Sequence, residues 1–462
     1  MLGNRSPESP ISGEARGGSG DHILAALAGF GRDQDPLLCA AAALYADCDE
    51  KSLPQVEEKR AHARGYDISN MRRAATICHW GRSGTVLFAS FLDSHPEVLI
   101  LPNQLSESIY PFLADFAELT LWQKLLIYPA YSATKKSTSG DFFLPDNPDG
   151  DYAISPAGYL AAVMALYREY GAISCDGTES RAGFFRFLHV AYALAQDRQA
   201  GHPRPMIIFA QHWWNELLAA RFREDFPGAK FLHTVRDPIS AVDAWLEMHF
   251  KWQLGGSGPV SRGYPYPVFD AYRDLLSWDL PHPGMSSNSR AVRFEDMHTE
   301  PDSLMCRVAH WLCIAEPGAR ITSTLNGRPY VVVIDAQRIV GSNPARAVRR
   351  SRNLGAFDRL LIFALLYRNF VDWRYPVPAV LRSPWLRALI LLAGSMIPSR
   401  LEATNAAALL RRQCLPALKS GRIGYAGGTP FVILIRRGRI MWLILRAAAI
   451  RLAGHRRILQ LV

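Results

Sequence analysis

The chain has 462 residues, is 49% hydrophobic and 20% charged, and carries a formal net charge of +10. Length and apolar content exclude a disordered chain and leave room for one large α/β domain with extensions. Seven cysteines, at 39, 48, 78, 175, 306, 313 and 414, form no CxxC pair and no ligand spacing. They argue against zinc and read as buried thiols in a reducing compartment, with no metal expected.

Met1 to Gly20 is rich in Gly, Ser and Pro, has no apolar core and is expected to be disordered. No charged-then-apolar secretory pattern opens the chain, which predicts a cytoplasmic protein. Ala- and Leu-rich runs around Cys39 and Leu44 predict a helical extension, so residues 1–70 form an N-terminal appendage. The next domain starts near Met71. Its first unit is a strand over Ala75–His79, a loop Gly81-Arg82-Ser83-Gly84-Thr85, and a helical pattern opening at Val86. Glycine's free φ angles suit a tight loop that aims several N–H groups at one point. With a helix dipole behind and a guanidinium beside it, such a nest binds phosphate or sulfate. It departs from GxxxxGK[ST], because Arg82 comes two residues before Gly84 and no Lys follows. The bland alternative is a Gly-rich turn with an incidental Arg.

Helical patterns follow over Ala157–Tyr170 and Phe184–Gln196, with Asp176-Gly177-Thr178-Glu179-Ser180 between them read as a strand-end loop. A strand over Ile207–Ala210 is followed by His212, and another over Lys230–Val235 runs into Arg236-Asp237-Pro238 and a helix. Asp237 and Pro238 read as a cap and first turn. Gly255–Pro267 is a long polar loop of the kind that forms lids. A last strand, Ala291–Phe294, precedes a helix through Val308 and Trp311, with Glu295 and Asp296 anchoring the turn. The alternation implies a parallel sheet flanked by helices, with two arginines at strand ends in the crevice where such sheets bind ligands.

Charge is split along the chain. Residues 1–340 hold 31 Lys/Arg against 39 Asp/Glu, and residues 341–462 hold 21 against 3. An acidic partner is implied, either nucleic acid or an anionic membrane surface. The tail's cations are embedded in apolar sequence, which favours the membrane and no nucleic acid. Its apolar runs, Ala388–Pro398 and Ile440–Leu445, are shorter than the ~20 residues needed to span a bilayer but can lie in its interface. The alternative is that they pack on the domain or at a dimer seam. Residues 376–462 are therefore set apart as a basic, apolar region, peripheral on the inner face of a membrane.

Together, Arg82-Ser83-Gly84-Thr85, Arg236-Asp237-Pro238 and Val292-Arg293-Phe294-Glu295-Asp296-Met297 resemble the motifs of the sulfotransferase family, over roughly residues 71–375. The resemblance implies a three-layer, phosphate-loop nucleotide-binding architecture of the sulfotransferase type and 3′-phosphoadenosine 5′-phosphosulfate (PAPS) as donor. It assigns Arg82, Ser83, Gly84, Thr85 and Val86 to the 5′-phosphosulfate. Arg82 stands where the family often has lysine. Arg236 falls to the 3′-phosphate. The family's serine eight residues further on is Ala244 here, and Ser240 is the substitute. Arg349–Gly355 is similar to its late basic segment, while Val86 and Leu87 replace the aromatic that stacks on adenine.

Three candidates stand for the base, and the alternative that neither of the two leading ones serves stays open. His212 has a usable unperturbed pKa and follows a strand as the family's catalytic histidine does, although Ala210-Gln211 replaces Lys-Thr. Glu107 is similar to the glutamate of other branches but lies later, and Glu179 is an outside choice. The acceptor is a small molecule, saccharide or lipid, and the membrane-seeking tail tilts it towards a glycolipid. The other classes left open are a nucleotide-dependent kinase of related fold and a non-enzymatic membrane-surface protein.

Overall fold

The computed structural model describes residues 36–45, 48–79, 83–134, 142–143, 153–171, 177–211, 216–254, 288–318, 321–334, 337–348, 351–398, 400–411, 415–420, 434–435, 437–446, 448–449 and 461–462. Its centre is a five-stranded sheet of β1 (Ala74–His79), β2 (Val98–Leu105), β3 (Met206–Gln211), β4 (Lys230–Val235) and β5 (Ser289–Arg293), in the order β2-β3-β1-β4-β5. Every pairing is parallel.

Alternate strand residues feed two separate cores, as a period of two requires when both faces of a sheet are covered. Ala75 and Ile77 of β1, Val98 and Ile100 of β2, Ile208 of β3, Leu232 of β4 and Val292 of β5 bury one face. That face is covered by helix α1 (Thr85–Leu92), through Phe88 and Phe91, and by helix α2 (Pro301–Leu312), through Leu304, Met305 and Val308. The opposite residues, Cys78, Leu99, Leu101, Phe209, Phe231 and Val235, face the larger core. Long helices such as Pro156–Tyr170 and Gly177–Ala195 close it. The result is the three-layer α/β fold expected from the alternation.

Four of the strands follow the sequence reading within two residues. β2 does not: Pro102, Asn103 and Gln104 interrupt its apolar run, and the ladder to β3 shifts register between Leu101 and Leu105. Only an edge strand tolerates such residues, and β2 is at the edge. Gly177–Ser180, read as a loop, forms the first turn of the helix Gly177–Ala195, so Glu179 sits on a helix. Cys39 and Cys313 are exposed, against the expectation of buried thiols. Met1–Gly20, Gly255–Pro267, Cys175 and Cys414 lie outside the described residues.

The extensions pack on the sheet domain. The helix Asp49–Ala63 is pinned by buried Lys59, whose Nζ donates to Leu194 O at 2.7 Å and pairs with Asp197 at 2.5 Å. On the C-terminal side, Leu361, Phe370, Trp373, Tyr375, Ile440 and Ile444 enter the larger core. Val462 N donates to Ala291 O at 3.0 Å, beside a parallel bridge from Leu461 to Ala291.

Candidate active site

The chain leaves β1 towards the β2 edge and leaves β4 towards β5 at the opposite edge. Since β1 and β4 are neighbours, the crossovers diverge between their carboxyl ends. A crevice opens there, which is where open parallel sheets bind ligands. The register pairs His79 with Thr234, bringing the loop after β1 level with the end of β4.

Three hydroxyls meet at that point. Thr234 Oγ1 lies 2.8 Å from Ser83 Oγ and 3.0 Å from Thr85 Oγ1. Gly84 sits between them at φ 81°, a left-handed conformation that costs other L-residues ~1–2 kcal/mol. Helix α1 starts immediately after, with Phe88 N donating to Gly84 O at 3.0 Å. The N–H groups of its first turn, from Thr85 onward, therefore have no intrahelical acceptor and point out of the helix start.

Phe294 joins this loop to the second arginine motif. A Cβ built on Gly84 would lie 2.6 Å from the Phe294 ring, so glycine is needed for space as well as for φ. The Arg236 guanidinium stacks over the same ring, 4.3 Å from its centroid, and Arg236 is buried. Arg236 directly follows β4. Asp237 then caps the helix α3 (Pro238–Leu254): its Oδ1 accepts Ser240 N–H at 3.0 Å, as read from the sequence. Ser240 is buried at that helix start.

A carboxylate network holds the turn from behind. Glu295 accepts Asp237 N–H at 3.1 Å and the Tyr375 hydroxyl at 2.6 Å. Burial raises its pKa, and the hydrogen bond from Tyr375 opposes the rise. Asp296 lies 3.7 Å from Arg293, whose guanidinium stacks on Tyr375. Both acids anchor the turn, as expected. Asp243 Oδ1 accepts Asn353 N–H at 2.7 Å, bringing the end of the Arg349–Gly355 segment onto α3. Arg349 and Arg350 lie outside the described residues.

His298 was not singled out from sequence. Its ring packs edge-on against Phe294 at 4.5 Å, and Nδ1 accepts Asn343 N–H at 2.9 Å. The proton therefore resides on Nε2, which is buried with no hydrogen-bond partner among the described residues. Burial, reinforced by Arg346 and Arg236, lowers its pKa to about 4. It is a neutral donor in a cationic neighbourhood. Thr234 and Phe294 were also missed as site residues, although both lie inside motifs that the sequence marked.

Arg82 and His212 lie outside the described residues, while their neighbours Ser83, in the loop after β1, and Gln211, the last residue of β3, follow adjacent strands. Glu107 is in the first turn of the helix Ser106–Asp115, after β2 at the far side of β3. No group of three or more His, Cys, Asp or Glu able to hold a metal occurs among the described residues.

The model of the sulfotransferase family matches residues 77–316, more than half of the chain. The chain belongs to the sulfotransferase family. Membership supports a sulfotransferase activity in general. No curated protein matches it. Among solved structures it is similar to the sulfotransferase domain from the curacin biosynthetic pathway (15% identity, TM-score 0.29, 66% of this chain and 99% of that one). It is also similar to sulfotransferase STF9 from Mycobacterium avium (12% identity, TM-score 0.29, 63% and 74%).

Proposed function

We propose that this sulfotransferase moves a sulfuryl group from PAPS to a hydroxyl or amine of a small acceptor, a glycolipid or saccharide in particular. The observation that carries the donor assignment is the crevice between β1 and β4. Left-handed Gly84, the first turn of α1 and the hydroxyls of Ser83, Thr85 and Thr234 line one side. Buried Arg236 follows β4 directly, stacked on the ring that also meets Gly84. A helix-start loop and a buried arginine at one switch point suit a donor with phosphates on both the 5′ and 3′ positions of its ribose.

The bound donor supplies an activated sulfur, whose bond to the bridging phosphate oxygen breaks as its bond to the acceptor forms. Arg82 and the N–H groups from Ser83 to Val86 stabilise the charge that develops on the sulfuryl and leaving phosphate oxygens. Arg236, with Ser240 at the start of α3, grips the 3′-phosphate away from the reacting atoms. His212 takes the acceptor's proton, with Glu107 as the alternative base. Much of the rate then comes from positioning rather than covalent chemistry.

The acceptor reading is supported by the tail, whose charge and apolar content suit a protein working peripherally on an anionic membrane. Incubating the full chain with sulfur-labelled PAPS and separate lipid, polysaccharide, protein and phenol fractions tests it. Label should enter the lipid-soluble saccharide fraction. Label confined to soluble phenols or proteins would overturn the acceptor class, and label entering nothing with intact donor would overturn the donor.

A further inference from the structure

The helix α4 (Pro384–Met396) contradicts the pattern of an ordinary surface helix. Its inner side is anchored: Leu386, Ile390 and Leu391 pack on the larger core. At Gly394 a Cβ would lie only 2.5 Å from the Leu361 side chain, so the helix lies close on its neighbour. The outer side should then be polar. Instead Trp385, Leu389, Leu392 and Met396 are 84%, 60%, 57% and 74% exposed. Their spacing of four, three and four residues puts them on one face.

A second helix repeats the contradiction. Residues 437–446 are helical, with Ile440 and Ile444 buried in the core while Met441, Trp442 and Leu445 are 41%, 55% and 49% exposed. The two helices are locked together by one side chain. Arg437 Nη2 donates to Gly394 O and Ser395 O at 2.8 Å each, at the end of α4, and its Nη1 donates to both oxygens of buried Glu402 at 2.9 and 3.0 Å. Outward apolar residues on both helices are thus held by a fixed frame.

Charge decides what covers this surface. Of residues 376–462, fourteen are Lys or Arg and one is acidic, and that one, Glu402, is spent on Arg437. Arg411, Lys419, Arg439 and Arg446 are exposed, and the Arg446 guanidinium lies 5.0 Å from the exposed Trp442 ring. A second copy of the chain would bring like charge against like charge. A sheet of anionic headgroups over acyl chains complements both features. No helix among the described residues is long and apolar enough to cross a membrane.

We infer that α4 and residues 437–446 form one rigid docking face that lies flat in an anionic membrane interface, with Trp385 and Met396 inserted below the headgroups. This inference rests on the peripheral-membrane reading above and names the surface responsible.

The test is co-sedimentation of the full chain with phosphatidylglycerol–phosphatidylcholine vesicles and with pure phosphatidylcholine vesicles. Wild type should bind the anionic vesicles, and high salt should weaken the binding without abolishing it. The double variant Trp385→Ser, Met396→Ser should lose about tenfold or more of the partitioning. Both residues are mostly solvent-exposed, so thermal melting and binding of adenosine 3′,5′-bisphosphate should be unchanged. Vesicle binding that the variant retains would overturn this face and leave the membrane reading standing. No vesicle binding by wild type would overturn both. A concentration-dependent dimer that the variant abolishes, with no vesicle binding, would make the face a contact between copies instead.

Discussion

Phe294 touches both strand-end motifs, meeting Gly84 along the loop after β1 and carrying the Arg236 guanidinium on its ring. Residues that act on the sulfuryl group should separate kinetically from those that hold the distal phosphate. Arg82→Ala should lower turnover by ~10²–10³-fold, as the loss of a transition-state donor does. His212→Ala should lower turnover with donor affinity intact. Steady-state kinetics alongside titration of adenosine 3′,5′-bisphosphate separates the two effects, and Glu107 takes the base role if His212→Ala is inert and Glu107→Gln is not. His298 makes a prediction in pH. Its native pKa, about 4, lies below the ~6.5 of an unfolded histidine, so the unfolded chain takes up the proton first. Above pH ~6.5 the residue adds no difference. As pH falls from there towards 4, wild type should lose up to ~3 kcal/mol that His298→Asn does not lose. The Asn oxygen can still accept Asn343 N–H. Melting both proteins across that range checks this, and a pH-independent gap would contradict the buried neutral imidazole. None of this was legible beforehand, because burial of one ring nitrogen depends on Asn343, far away in sequence.

Strand-to-helix units at β1 and β4 were legible because apolar runs, a glycine or Asp-Pro punctuation and a helical period coincide within each. What the sequence did not carry was their adjacency, which places Thr234 against Ser83 and Thr85 across the sheet. β2 was missed because Pro102, Asn103 and Gln104 hide an edge strand, and the first turn before Phe184 was missed because Gly177 reads as a breaker. The turn into α1 yields a matched pair of substitutions. Gly84→Ala meets both a left-handed φ and the Phe294 ring at 2.6 Å, whereas Gly228→Ala meets φ 88° with nothing within 4 Å. Both should lose the ~1–2 kcal/mol of backbone strain. Only Gly84→Ala should lose more than that and also weaken binding of adenosine 3′,5′-bisphosphate. Equal melting shifts with unchanged binding would remove Gly84 from the donor site.

At the scale of the molecule, the sheet domain and its basic tail share one core, since Ile440 and Ile444 are fully buried while their helix neighbours face out. The charge split was plain in the sequence. The frame that organises it was not, because Arg437 and Glu402 are linked only in space. Glu402→Ala would leave Arg437 without its carboxylate, and losing one partner of a buried pair costs on the order of 3 kcal/mol. Limited proteolysis should then cut faster within residues 400–446, while affinity for adenosine 3′,5′-bisphosphate, which we assign to β1 and β4, should stay the same. Tail cleavage at the wild-type rate would show that the pair does not lock the helices. Binding of a donor through two separate phosphates in the β1/β4 crevice has one direct measurement. Adenosine 3′,5′-bisphosphate, adenosine 5′-monophosphate and ATP are titrated calorimetrically into wild type and Arg236→Ala. The bisphosphate should bind wild type most tightly, and Arg236→Ala should weaken it to the level of the monophosphate. Preference for ATP, or equal binding of bisphosphate and monophosphate to wild type, would contradict recognition of a 3′-phosphate at Arg236.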